Sequence, residues 1–278
     1  MSEPVLGTER TPRVAAARKL LRRAGRERAG RFLVEGAQAV REALAAPQAV
    51  HELFVTPAAA QRNPDLVDAA HAAGVRVVDV TDGAAASLSD TVTPQGLVAV
   101  CDLLDVTLPA ALADAPRLVA VLAGVADPGN VGTVVRCADA AGADAVLLAG
   151  DTVDPHNGKA VRASTGSVFH LPLARDRDSA AVLDACRTAG LVLLAADAHG
   201  EVDLHDPAAD ALLGGRVAWV FGNEAHGVPT EVLAAADHRV SVPIHGRAES
   251  LNLATAAAIC LYGSVAARTR LAAASSNP

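Results

Sequence analysis

A chain of 278 residues is too long for one small domain and suits two, and a hydrophobic fraction of 51% excludes global disorder. Aromatic residues make up only 2%, too few for the stacking platforms that grip single-stranded nucleic acid, so any RNA is to be held by charge, shape and phosphate contacts. The net charge of −7 speaks mildly against a nucleic-acid partner, yet it hides a basic block of Arg10, Arg13, Arg18, Lys19, Arg22, Arg23, Arg26, Arg28 and Arg31, opposed there only by Glu9 and Glu27.

In chain order, residues 11–28 read as one basic helix. Phe32-Leu33-Val34 reads as a strand, 37–44 as a helix, 50–55 as a strand, 64–73 as a helix, 75–80 as a strand, and 97–101 as a further apolar run. This alternation predicts a small α/β domain over residues 1–101. Residues 102–116 are Ala- and Pro-rich and read as a linker. A larger domain is expected over 117–271, with strands at 118–122, 145–148, 191–195, 217–221 and 239–243. Helices are expected at 131–141, 179–189 and 250–268, and a frayed tail at 272–278. Short, nearly continuous apolar strands separated by helices imply an α/β fold: a mostly parallel sheet with helices on both faces. Ligands of such sheets sit outside the carboxyl ends of the strands, so the turns after them are the place to look.

Three such turns carry chemistry-bearing residues. The first is Asp127-Pro128-Gly129-Asn130-Val131-Gly132, with Arg136 on the helix that follows; Asn130 is the expected helix cap. The second, Phe221-Gly222-Asn223-Glu224-Ala225-His226-Gly227, follows a strongly apolar strand, and Gly222 would let backbone press against a base or ribose. The third runs from Val242-Pro243-Ile244 to Ser250-Leu251-Asn252 and enters a helix of small residues, with Ser250 near the cap. Each taken alone also reads as an ordinary capped helix or tight polar turn.

Other chemistries lack their patterns. There is no GxxxxGK[ST] loop, no GxSxG elbow, no HExxH and no GxGxxG, although the turn at 129–132 leaves a nicotinamide-dependent oxidoreductase as a competing reading. Cys101, Cys137, Cys186 and Cys260 are far apart and fit free thiols in a reducing compartment. No metal, signal peptide or membrane span is expected, which points to the cytoplasm.

Taken together and in order, Asn130-Val131-Gly132 with Arg136, Val220-Phe221-Gly222-Asn223-Glu224 with Gly227, and Val242-Pro243-Ile244 with Ser250-Leu251-Asn252-Leu253 resemble the SpoU/TrmH branch of the SPOUT RNA methyltransferases. The basic start, Phe32-Leu33-Val34-Glu35-Gly36 and Thr93-Pro94-Gln95-Gly96-Leu97 are similar to the substrate-binding domain that often precedes that catalytic domain, a ribosomal-protein-L30e-like α/β fold. The resemblance implies a trefoil-knotted catalytic domain, a homodimer, and S-adenosylmethionine as cofactor. It further implies methyl transfer to a ribose 2′-hydroxyl of structured RNA, ribosomal (23S) RNA ahead of transfer RNA, with a non-catalytic RNA-binding protein of the same fold as the other alternative. By motif position it implies Asn130, Arg136, Glu224, Ser250 and Asn252 as the polar active-site set. Gly222, Val242, Ile244, Leu251 and Ala196 become cofactor contacts, and Arg18, Lys19, Arg22, Arg23, Arg26 and Arg28 become RNA contacts.

Overall fold

The computed structural model describes residues 6–46, 50–223 and 225–275. Packing divides the chain into two compact units. One takes the chain up to Leu104 together with Asp154–His170; the other takes Asp105–Val153 and the chain from Leu171 onward.

Among the described residues, the first unit is built on four strands, β1 (Arg31–Glu35), β2 (Val50–Val55), β3 (Arg76–Asp79) and β4 (Leu97–Asp102), in the order β1-β4-β2-β3. β4 runs antiparallel to both β1 and β2, and β3 lies parallel to β2. Val14, Ala17 and Leu20 of the amino-terminal segment close one face over Leu33, Phe54, Val98 and Val100. That segment is not the single helix expected over residues 11–28. It forms helices Pro12–Arg18 and Arg23–Ala29 around a tight turn at Lys19–Leu21, with Arg22 extended. Gly25 permits the fold-back, because a Cβ there would meet the Lys19 carbonyl oxygen at 2.0 Å.

The surprise in this unit is Asp154–His170, a stretch placed by the sequence reading inside the second domain. Its reason is packing. Phe32, fully buried, meets the ring of His156 edge-on at 4.7 Å between centroids and stacks on Phe169 at 6.1 Å. The Leu104 amide donates to His156 Nε2 (3.1 Å), and Arg162 pairs with Glu35 at 3.2 Å and Asp90 at 2.5 Å. Glu35 is a buried carboxylate and needs the partner that the distant segment supplies.

Among the described residues, the second unit holds eight strands: β5 (Asp105–Val106), β6 (Leu118–Ala123), β7 (Ala145–Ala149), β8 (Leu173–Asp176), β9 (Val192–Ala196), β10 (Val202–Asp203), β11 (Val217–Phe221) and β12 (His238–Ser241). Their order is β10-β12-β9-β11-β6-β7-β8-β5, and every pairing among them is parallel. β6, β7 and β11 are buried along their whole length, as their unbroken apolar runs require of strands covered on both faces. Val182, Leu183 and Val232 pack with Ala218 and Val220 on one face. On the other, Trp219 Nε1 donates to Ser264 Oγ (2.9 Å) of helix Leu253–Ser275, which itself packs on helix Pro128–Ala140.

Two boundaries differ from the sequence reading. The supposed linker contains β5 and a short helix, Leu108–Ala111, whose Thr107 side chain accepts from Ala110 N; Pro109 suits the first turn of a helix, where its missing N–H costs nothing. The supposed tail is helical as far as Ser275. Among the described residues, no helix is long and apolar enough to cross a membrane.

Candidate active site

The carboxyl ends of β6, β9, β11 and β12, neighbours in the middle of the parallel sheet, carry the loops that build the site. After β6, the chain enters helix Pro128–Ala140. Its cap is Asp127, whose side chain accepts from Asn130 N at 2.9 Å, so Asn130 lies inside the first turn and is not the cap expected for it. The Asn130 side chain reaches another loop. Its Oδ1 accepts from Asn252 Nδ2 at 3.2 Å.

Asn252 in turn is the cap of the last helix: its Oδ1 accepts from the amides of Ala254 (3.0 Å) and Thr255 (3.3 Å). Ser250, expected near that role, is exposed two residues earlier. The loop after β11 closes on itself through reciprocal bonds between the backbones of Asn223 and Gly227, both 2.8 Å. Gly222 is required by this closure, since a Cβ there would lie 2.1 Å from the Gly227 carbonyl and the Val228 amide. Its smallness therefore serves the loop's own backbone. Asn223 Nδ2 donates to the Gly124 carbonyl (3.0 Å), tying this loop to the one after β6. The loop after β9 is fixed likewise: Asp197 N donates to Val240 O, Gly200 N to Asp197 O, and His199 N to Asp197 Oδ1, each at 3.0 Å.

The loops after β9, β11 and β12 line a cavity of about 490 Å³. Gly222, Val242, Ile244, Leu251 and Ala196 all line it, as does Ser250. Phe221, Val228, Val240 and Leu253 add apolar surface, while Asp197, His199, Asn223, His226 and Glu249 add polar groups. Asn130 and Asn252 brace its rim through their mutual hydrogen bond without lining it. Arg136 does not line it either. It is exposed on the helix six residues beyond Asn130, about 9 Å further along the axis at 1.5 Å per residue. Glu224 lies outside the described residues.

In the amino-terminal unit, Arg18, Lys19, Arg22, Arg23 and Arg28 are exposed. Arg26 is not, and its assignment to RNA is corrected. It is 3% exposed, with Nε and Nη2 both donating to Asp154 Oδ2 at 2.9 and 2.7 Å, and Nη1 donating to the carbonyls of Leu20 and Leu21. A guanidinium this deeply buried, with its Nε, Nη1 and Nη2 groups all bonded inside the protein, is not presented to a phosphate.

Sequence reasoning missed Asn223, Asp197 and Asp127 as organisers of the site. Asp127 was detectable, since Asp-Pro before an apolar-periodic stretch is a helix-start signal. The other two act across long separations, 99 residues for Asn223 to Gly124, and nothing local announces them.

Residues 117–262 match the SpoU rRNA Methylase family, and residues 11–99 match the MRM3-like substrate binding domain. The chain is 35% identical over 246 residues to the 23S rRNA (guanosine(2553)-2'-O)-methyltransferase RlmP of Bacillus subtilis, spanning 88% of this chain and 92% of that one. The AdoMet-bound rRNA methyltransferase of Sinorhizobium meliloti shares its fold with a TM-score of 0.80 and 30% identity, over 97% of this chain and 98% of that one. The SpoU methyltransferase AviRb of Streptomyces viridochromogenes, in complex with AdoMet, matches with a TM-score of 0.80 and 29% identity, over 94% and 99%. The gathered loops thus sit on the sheet of a known catalytic domain, and the chain belongs to the SpoU rRNA methylase family.

Proposed function

We propose that the chain transfers a methyl group from S-adenosylmethionine to a ribose 2′-hydroxyl of structured RNA, with 23S ribosomal RNA as the substrate, working as a homodimer whose catalytic domain carries a trefoil crossing. The observation that carries this is the convergence of the loops after β9, β11 and β12 on one cavity, with the loop after β6 tied to them through Asn223–Gly124 and Asn252–Asn130 hydrogen bonds. Its volume lies within the range of about 300–1,000 Å³ usual for small-molecule and cofactor sites. The lining suits the donor: Val242, Ile244 and Leu251 offer apolar contact to a purine, and Asp197 and Glu249 oppose a cationic ligand. When bound, S-adenosylmethionine supplies an electrophilic methyl group on a positively charged sulfur.

The protein's task is then to place and activate the hydroxyl. Holding two reactants in a productive geometry removes several kcal/mol of barrier by itself. Asn130 and Asn252 keep two loops in register, and Ser250 is exposed beside them to orient the ribose. Arg136 anchors a phosphate and stabilises negative charge developing on the 2′-oxygen. A guanidinium is a poor general base, so the role assigned to Arg136, exposed outside the cavity, is electrostatic. Arg18, Lys19, Arg22, Arg23 and Arg28 add sequence-independent phosphate contacts.

One experiment tests the whole: ribose methylation mapped on total RNA with the wild-type protein and with Arg136→Ala. The variant binds S-adenosylmethionine as the wild type does and loses at least about a hundredfold in turnover, about 2.7 kcal/mol. Near-normal turnover removes Arg136 from the reaction, and methylation confined to transfer RNA reassigns the substrate. In the same assay, reversing Arg18 and Arg22 to Glu raises the RNA concentration needed; an unchanged requirement makes those arginines bystanders.

A further inference from the structure

The lining of the cavity is one-sided in charge. Among the described residues that form it, Asp197 and Glu249 carry the formal charges, both negative, and no lysine or arginine takes part; the other ionisable groups are His199 and His226. Asp197 is the better fixed of the two. Its backbone is pinned on both sides, to Val240 and Gly200, and one carboxylate oxygen accepts from His199 N. Gly200 packs so closely that a Cβ would meet the Arg239 carbonyl and the Ser241 amide at 2.7 Å, so the turn that presents Asp197 has little room to move. Glu249 sits on the exposed loop after β12 and faces the same space with more freedom.

Set against that lining, the proposed donor and its product differ by one charge. The donor carries a sulfonium and an ammonium against one carboxylate and is a net cation; after the methyl group leaves, the sulfur is a neutral thioether and the molecule has no net charge. Charges facing a partly enclosed cavity are screened less than in bulk water, so a carboxylate there senses the difference. We infer that Asp197 and Glu249 are specificity-determining counter-ions that bias the cavity toward the methyl-bearing donor over its demethylated product. The inference rests on the reading of this cavity as the donor site. Its consequence for turnover is that loss of the methyl group weakens the cavity's hold on the spent cofactor.

The test is calorimetric titration of the full chain with S-adenosylmethionine, S-adenosylhomocysteine and the uncharged fragment 5′-methylthioadenosine. Asp197→Asn is the variant of choice, because the amide oxygen still accepts from His199 N while the charge is gone; Glu249→Gln is made alone and in combination. The ratio of product Kd to donor Kd falls roughly two- to fivefold per carboxylate removed, the range of a partly exposed charge pair, more for Asp197 than for Glu249, and 5′-methylthioadenosine binds as before. A ratio unchanged in the double variant overturns the inference while leaving the donor site in place. Equal weakening of all three ligands overturns it too, by showing that the carboxylates only shape the loops. Failure of the wild-type protein to bind any of the three brings down the reading of the cavity itself.

Discussion

Arg26 and its neighbours Arg22, Arg23 and Arg28 share one chemistry, yet burial gives Arg26 a separate task. Its partner Asp154 is 4% exposed, and burial by itself would raise that carboxyl's pKa. The hydrogen bonds from His156 and Arg26 outweigh this and hold it well below the usual carboxylate range. A depressed folded-state value means that the stabilisation is complete above the unfolded-state pKa near 4 and drains away as pH falls below it toward the folded value. Asp154→Asn therefore destabilises the protein at neutral pH by about 3–5 kcal/mol, because it leaves Arg26 buried without a counter-charge. It also flattens the part of the acid-unfolding curve below about pH 4 that this carboxylate governs. Chemical denaturation at a series of pH values checks both; a variant as stable as the wild type at pH 7 would show that Arg26 finds water instead. The buried cysteines Cys101, Cys186 and Cys260 behave as packing residues: burial pushes the Cys186 thiol up to about 12, which makes it inert toward neutral-pH chemistry.

At the scale of elements, the legible parts of this chain were those whose signal is local. β2 and β11 fall on the expected residues, because runs such as Val217-Ala218-Trp219-Val220-Phe221 have one use in an α/β protein. The glycine and apolar residues of the motif turns point to the loops that do line the cavity. What stayed hidden depends on partners far away in sequence: the break in the first helix, the edge strands β5 and β10, and the exchange of cap roles among Asp127, Asn130 and Asn252. Asn252 shows why that exchange matters, since one side chain performs two tasks through different atoms. Its oxygen caps the last helix, and its nitrogen donates to Asn130. Asn252→Asp keeps the cap and favours the positive end of the helix dipole, but it cannot donate. The melting temperature then holds or rises while S-adenosylmethionine binding weakens, read by thermal melts and calorimetry on one sample. Wild-type affinity in that variant would mean the two loops stay in register without this bond.

For the whole molecule, the division into units cuts across the order of the sequence, and this has a consequence for any attempt to isolate the first unit. A fragment ending at Leu104 keeps all four strands of the first sheet and lacks Asp154–His170. It buries Arg26 without Asp154, a penalty of about 3–5 kcal/mol, and uncovers Phe32, whose contacts with His156 and Phe169 are worth about 0.5–1.5 kcal/mol each beyond area burial. Glu35, 7% exposed, also loses Arg162. Domains of this size are stable by only about 5–15 kcal/mol in total, so the deficit rivals the whole margin. Residues 1–104 expressed alone should consequently melt without cooperativity or far below the full chain, and a version carrying 154–170 on a flexible tether should recover a cooperative transition. Circular dichroism melts of the two fragments decide the matter. A sharp, high transition for 1–104 by itself would mean that Asp154–His170 rests on a surface already complete, and that the apparent core around Phe32 and Arg26 can rearrange to close without it.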